Sequence, residues 1–224
     1  MEYKLAVRVL AVDTTSPRGS LAVADESGPV AEARVVTEAG HSRWLLPAVD
    51  AVLSGLGLGA AALDLFAVTS GPGSFTGLRV GLGSVQGLAL ATRRPCLGVP
   101  TLDVLAHGVR GSADTIVALV DALRDEVFWA VYDGDGRLSG ERSVGPLAAA
   151  LRNLPAGSAF VGDAAGANRE TIRASVEGAL FPGASGFLAV TLAQMSLGRA
   201  AEAGPASALR PIYIRGATIR PSRA

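Results

Sequence analysis

Short apolar runs bounded by turn residues open the chain at 8–13, 19–24 and 30–36, and they predict three strands. The spacing then becomes helical. Leu45, Val49 and Val52 fall on one face and predict a helix over 42–54, with Ser42 as N-cap and Pro47 removing one early backbone bond. A strand at 64–69, a helix at 76–91, a strand at 95–98 and a helix at 101–108 follow. The same order then returns: strands 116–121, 126–132 and 137–143, helix 147–153, strand 158–161, helix 166–175, and a long helix 187–203 stopped by Gly204-Pro205.

The recurrence extends to residues. Shifted by 108 positions, residues 9–36 lie without gaps over 117–144 and share nine identities in 28 positions, among them Asp13 with Asp121 at the end of an apolar strand. Each half reads β-β-β-α-β-α, which predicts a mixed five-stranded sheet with helices on its faces. The expected fold class is therefore α/β with two tandem halves, 1–108 and 109–224, the C-terminal segment packing back on the first. That arrangement resembles the actin-like sugar kinase/heat-shock ATPase superfamily. The resemblance implies a nucleotide cleft between the halves, with the two strand-1-to-strand-2 turns gripping phosphate and magnesium.

Those turns decide whether such chemistry survives. In the first, Asp13 is suited to ordering a magnesium-bound water, and the hydroxyls of Thr14, Thr15 and Ser16 are suited to phosphate. The second, Asp121 to Asp125, has neither glycine nor hydroxyl, and Leu123 stands where a phosphate needs bare amides. Both read better as structural hairpin turns with buried or capping aspartates than as working nucleotide turns.

Composition narrows the chemistry further. Apolar residues make up 49% and charged residues 18% of the 224, enough for a packed core. Twenty basic residues balance twenty acidic ones, which argues against nucleic-acid binding through overall charge. The one lysine, Lys4, excludes a phosphate-loop signature, and two histidines with one cysteine exclude zinc-finger, H-E-x-x-H and CxxC chemistry. No metal site is expected. The lone Cys96 suits a reducing cytosol, Arg8 and Asp13 spoil a signal-peptide core, and the uncharged run Val80–Thr92 is too short for a bilayer. The expectation is a cytoplasmic protein with no membrane contact.

The glycine-rich stretch Gly71, Pro72, Gly73, Ser74, Phe75, Thr76, Gly77, Leu78, Arg79 follows a strand and opens a helix. It is either a tight turn capped by Ser74 or Thr76, the preferred reading, or an anion site at a helix start. Within that helix Leu78, Leu82, Val85 and Ala89 suit the core, whereas Gly77, Gly81, Ser84, Leu88 and Ala91 form a second, small-residue stripe. Interior glycines destabilise a helix, so the stripe predicts close approach of another helix. Together with His41, Trp44 and Leu45 on the preceding helix, it is the expected partner interface.

Three segments, Gly40 to Pro47, Gly71 to Arg79 and Ala118 to Phe128, resemble the bacterial TsaB (YeaZ) family, with support from 10–16 and 209–215. The resemblance implies a non-catalytic subunit of the machinery that makes threonylcarbamoyl-adenosine at position 37 of ANN-decoding tRNAs. Implied partners are the transferase TsaD as a heterodimer, the ATPase TsaE, a threonylcarbamoyl-AMP synthase acting functionally, tRNA through the complex, and a homodimer on the same surface. ATP is used by the complex, and no cofactor is expected on this chain alone. TsaD-like chains carry H-x-x-x-H on the helix matching 42–54; here His41 is followed by Leu45, so the metal pair is broken and His41 reads as a capping or partner-contacting residue.

The alternative is a stand-alone actin-fold phosphotransferase or ATPase using Asp13 and the 71–79 loop. A hydrolase is disfavoured by residue inventory. Across 199–224 five arginines face one glutamate, a basic end that reads as solvated in preference to tRNA-contacting.

Overall fold

A computed structural model describes residues 7–38 and 40–214. Strands β1 (Val9–Asp13), β2 (Arg18–Asp25) and β3 (Gly28–Val36) form an antiparallel meander. A 3-10 turn at His41–Arg43 then leads into α1 (Leu45–Gly55), three residues later than the pattern predicts. Pro47 explains the delay. Its ring would clash with the carbonyl of Arg43 were that residue helical, whereas at the third helical position its missing N–H is one that a helix start leaves unpaired anyway. Ser42 consequently caps nothing.

Strand β4 (Leu65–Thr69), helix α2 (Phe75–Thr92), strand β5 (Cys96–Val99) and helix α3 (Thr101–His107) complete the first half. Its sheet runs β3-β2-β1-β4-β5, with β1, β4 and β5 parallel.

The second half repeats the plan with β6 (Thr115–Asp121), β7 (Glu126–Asp133), β8 (Leu138–Pro146), a short α4 (Leu147–Ala150) and β9 (Ala159–Val161), ordered β8-β7-β6-β9. Here the expected five strands become four. The fifth place holds only a parallel bridge from Leu180 to Ala159, because Pro182 lacks the N–H that would extend the ladder. The helix expected over 166–175 resolves into α5 (Asp163–Ala167) and α6 (Arg169–Ser175), broken at Asn168, whose side-chain amide donates to the Ala164 carbonyl. The long helix expected over 187–203 is α7 (Ala189–Gly198), ended by its glycine and followed by a 3-10 turn at Ala200–Glu202.

Strand alternation builds the core in layers. Leu10 and Val12 of β1 pack with Leu45, Leu78 and Val85 beneath α1 and α2. Val9 and Ala11 point the other way, into a cluster holding Leu102 of α3, Leu192 of α7 and, from the second sheet, Ile116 and Ala118. A third cluster joins Val117, Leu119 and Phe160 to Ile172 of α6. The two halves thus share their middle layer. An ion pair reinforces it: Asp103 of α3 accepts from the Arg142 guanidinium at 2.6–3.0 Å and from the buried Tyr132 hydroxyl at 2.7 Å.

Helix α7 packs on the first sheet, and residues 204–212 after it stay there. Cys96 bridges Gly204, the Gln86 side-chain amide donates to the carbonyls of Ala206 and Leu209, and the Ile212 amide donates to Ser70.

Candidate functional site

The first turn is closed on itself. Asp13 is fully buried, and its Oδ1 accepts from the Thr15 amide at 3.1 Å, the Thr15 hydroxyl at 2.7 Å and the Thr69 hydroxyl at 2.7 Å. Its Oδ2 has no hydrogen-bond partner among the described residues. Burial pushes the carboxyl above its ordinary value, against the opposing pull of the Thr15 and Thr69 bonds. The Thr14 hydroxyl donates to the Gly77 carbonyl, and the Ser16 hydroxyl donates to the Arg18 carbonyl. All three hydroxyls expected to face a phosphate are therefore engaged within the chain.

His41 closes the turn from outside. Its Nδ1 accepts from the Trp44 indole at 2.8 Å, which leaves Nε2 to donate to the Ser16 carbonyl at 2.8 Å. Gly19 makes room for the pair, since a Cβ there would lie 2.4 Å from the Trp44 ring. His41 is buried and its side chain caps no helix.

The glycine-rich loop brackets the same turn. The Ser74 amide donates to the Thr15 carbonyl, and the Ser74 hydroxyl caps α2 by accepting from the Gly77 amide at 3.2 Å. A Cβ on Gly73 would lie 2.5 Å from the Thr15 carbonyl oxygen, and one on Gly77 only 2.0 Å from that of Thr14. Thr76 and Arg79 are exposed, and the Arg79 guanidinium covers the Phe75 ring at 4.7 Å. Gly71 sits against the tail, with a Cβ position 3.0 Å from the Ile212 carbonyl.

This packing corrects the expected partner stripe. Gly77 and Gly81 do receive a close neighbour, but it is the chain's own Thr14, whose hydroxyl would stand 2.4 Å from a Gly81 Cβ. Leu45 belongs to the core beneath α1, while Trp44, Ser84 and Leu88 are half-buried. The open face of α2 carries Gly83 and Gly87 instead, with free space around both and Leu90 standing 68% exposed; of the expected stripe only Ala91 is exposed there. From Val80 to Thr92 no charged residue interrupts that face, and Leu46 of α1 adds a further exposed apolar side chain. A signal for the right stripe was present: Gly83 lies four residues after Arg79, and a face holding an arginine points to solvent.

The second turn shares one bond with the first. Asp121 Oδ1 accepts from the amide two residues on, that of Leu123, at 2.9 Å, as Asp13 does from Thr15. Asp121 itself is exposed, and Leu123, Arg124 and Asp125 all adopt left-handed backbone with φ of 61°, 57° and 60°. Between the halves lies a cleft of about 600 Å³, lined by Thr15, Arg18 and Thr101 on one side and by Phe160, Asp163 and Arg169 on the other. Burial raises the Asp163 carboxyl, whose oxygen accepts from the amides of Asp121 and Ala164. Among the described residues no group of three or more His, Cys, Asp or Glu is placed to hold a metal ion, and no helix is long and apolar enough to cross a membrane. Arg215, Arg220 and Arg223 of the basic end lie outside the described residues.

Comparison with known proteins adds four findings. The family model described as TsaD, tRNA N6-adenosine threonylcarbamoyltransferase, matches residues 35–204. The tRNA threonylcarbamoyladenosine biosynthesis protein TsaB of Escherichia coli is 37% identical over 131 residues, 58% of this chain and 56% of that protein, so the match spans about half of the relative's length. Among solved structures, YeaZ from Pseudomonas aeruginosa superposes with a TM-score of 0.77 at 30% identity, covering 92% of this chain and 99% of that one. The activator of 2-hydroxyisocaproyl-CoA dehydratase from Clostridium difficile, at TM-score 0.52 and 10% identity, shares the fold over 88% of this chain and 96% of that one. The two tandem halves with mixed sheets are thus the actin-like ATPase and sugar kinase architecture.

Proposed function

The chain belongs to the TsaB (YeaZ) family, and from that premise we propose that it is a non-catalytic subunit in tRNA threonylcarbamoyladenosine biosynthesis. It dimerises with a TsaD transferase through the outer faces of α2 and α1 and activates it. TsaE and the threonylcarbamoyl-AMP synthase complete the system, ATP is consumed by the complex, and a homodimer uses the same face when TsaD is absent. The observation that supports this most is the internal use of the first turn, where Thr14, Thr15 and Ser16 all donate within the chain and Asp13 is sealed from solvent. A nucleotide turn needs those groups free for phosphate.

The open face of α2 gives the reading its positive side. Small residues at positions 83, 87 and 91 let a second helix approach closely, and the lack of charge removes a desolvation cost. Titration calorimetry with Mg-ATP, paired with a turnover assay, tests the proposal. The isolated chain is expected neither to bind tightly nor to hydrolyse ATP, while tRNA modification rises when it is added to TsaD, TsaE and the synthase. Hydrolysis by the chain alone, abolished in Asp13→Asn, would instead establish the phosphotransferase reading.

A further inference from the structure

The chain is neutral overall, yet its charge is distributed unevenly. Residues 65–102 contain three arginines and no carboxylate or lysine, and residues 203–224 contain four arginines and no carboxylate or lysine. The fold packs the first of these segments beside residues 204–212 of the second. Gln86 of α2 holds the carbonyls of Ala206 and Leu209, Gly204 bridges Cys96, and Ile212 bonds to Ser70. One flank of α2 therefore gathers Arg79, Arg93 and Arg210, all exposed and, among the described residues, without an ion-pair partner.

Two aromatic rings stand on the same flank. Phe75 is 56% and Tyr213 57% exposed, and their ring centroids lie 6.4 Å apart at 34°. The Arg79 guanidinium covers Phe75 at 4.7 Å. Large aromatics left this open on a folded surface lose the benefit of burial unless something stacks on them. Unpaired nucleotides recognise such a combination, bases stacking on aromatic or guanidinium planes while arginines take the phosphates.

We propose that the flank of α2 facing the C-terminal segment is an RNA-binding surface, with Phe75 and Tyr213 as a stacking platform for an unpaired base and Arg79 and Arg210 as phosphate contacts. It deepens the reading above, on which the identity of the RNA as tRNA rests. It adjoins the Gly83–Gly87 face assigned to the transferase, with Arg79 at the shared edge. The occupant is single-stranded or looped RNA. An acidic protein would want the arginines but not the exposed rings, and an anionic membrane surface would not need them paired.

Fluorescence anisotropy with a labelled anticodon stem-loop of an ANN-decoding tRNA tests this, using the full chain alone and premixed with TsaD. Phe75→Ala/Tyr213→Ala is expected to weaken binding about tenfold with the salt dependence unchanged, since a stacked base carries no charge. Arg79→Glu/Arg210→Glu is expected to weaken it at least as much and to flatten the slope of log affinity against log salt by about two phosphate contacts. The control Arg152→Glu, an equal charge change per site on the second half, is expected to change affinity less than twofold. Each variant is first shown to keep the wild-type thermal midpoint and its co-elution with TsaD. Unchanged affinity in both double variants, an equal loss in the control, no binding by wild type in either format, or equal binding of wild type to anionic vesicles overturns the proposal. Loss of TsaD co-elution by wild type would sink the subunit reading while leaving the RNA result to stand alone.

Discussion

Gly77→Ala isolates the bracket between α2 and the first turn. An alanine in a helix interior ordinarily gains about 0.5–1 kcal/mol over glycine. Here the new Cβ would stand 2.0 Å from the Thr14 carbonyl oxygen, a backbone atom that the β1–β2 hairpin holds in place. The helix must move away, straining the bond from the Thr14 hydroxyl to the Gly77 carbonyl, now 2.8 Å. Overpacking of this kind costs about 1–3 kcal/mol, so the net effect lies between about zero and a loss of about 2.5 kcal/mol, or up to about 10 °C in midpoint for a chain of this size. The matched variants Gly83→Ala and Gly87→Ala meet nothing within 4 Å and should each stabilise by about 0.5 kcal/mol or more. Thermal and urea unfolding followed by circular dichroism reads all three. Equal stabilisation of Gly77→Ala and Gly83→Ala would refute the assignment of inner and outer faces.

Other consequences concern the buried polar groups and the outer face. Asp103→Ala removes the acceptor of both Arg142 and Tyr132 between the halves, a partly buried pair whose loss is expected to cost about 2–3 kcal/mol in urea unfolding. For Asp13, burial raises the carboxyl in the folded state, so the native protein binds the proton more tightly than the unfolded chain and loses stability as pH rises from about 3.8 towards the raised value. Asp13→Asn lacks that loss, and unfolding at pH 4 and pH 7 should show the variant gaining on wild type at the higher pH. Trp44→Phe removes the indole donor to His41 without emptying the site, and a drop of about 1 kcal/mol in unfolding free energy is expected.

Much of the architecture was legible because period and punctuation agree. The alternation of β1 and β2, the helical spacing of Leu78, Leu82, Val85 and Ala89, and the Asp13/Asp121 repeat all reappear in three dimensions. What escaped was tertiary. Pro182 is the one local sign in 177–186 that the fifth strand of the second sheet shrinks to a bridge at Leu180, and Pro47 shifts the start of α1 only when the carbonyl behind it is considered. Helix α2 carries small residues on two faces, so composition alone predicted the inward stripe as the partner side. The neighbouring Thr14, through its carbonyl against Gly77 and its hydroxyl against Gly81, shows that both are small for the chain's own benefit.

Reconstituted tRNA modification with purified TsaD, TsaE and synthase tests the central claim most directly, comparing wild type with Gly83→Leu/Gly87→Leu. The double variant has free space for both side chains and is expected to keep its fold, yet to lose TsaD co-elution and at least tenfold of the stimulated activity. Full stimulation by a folded variant would contradict the account, because the outer face of α2 would then play no part in what this chain does.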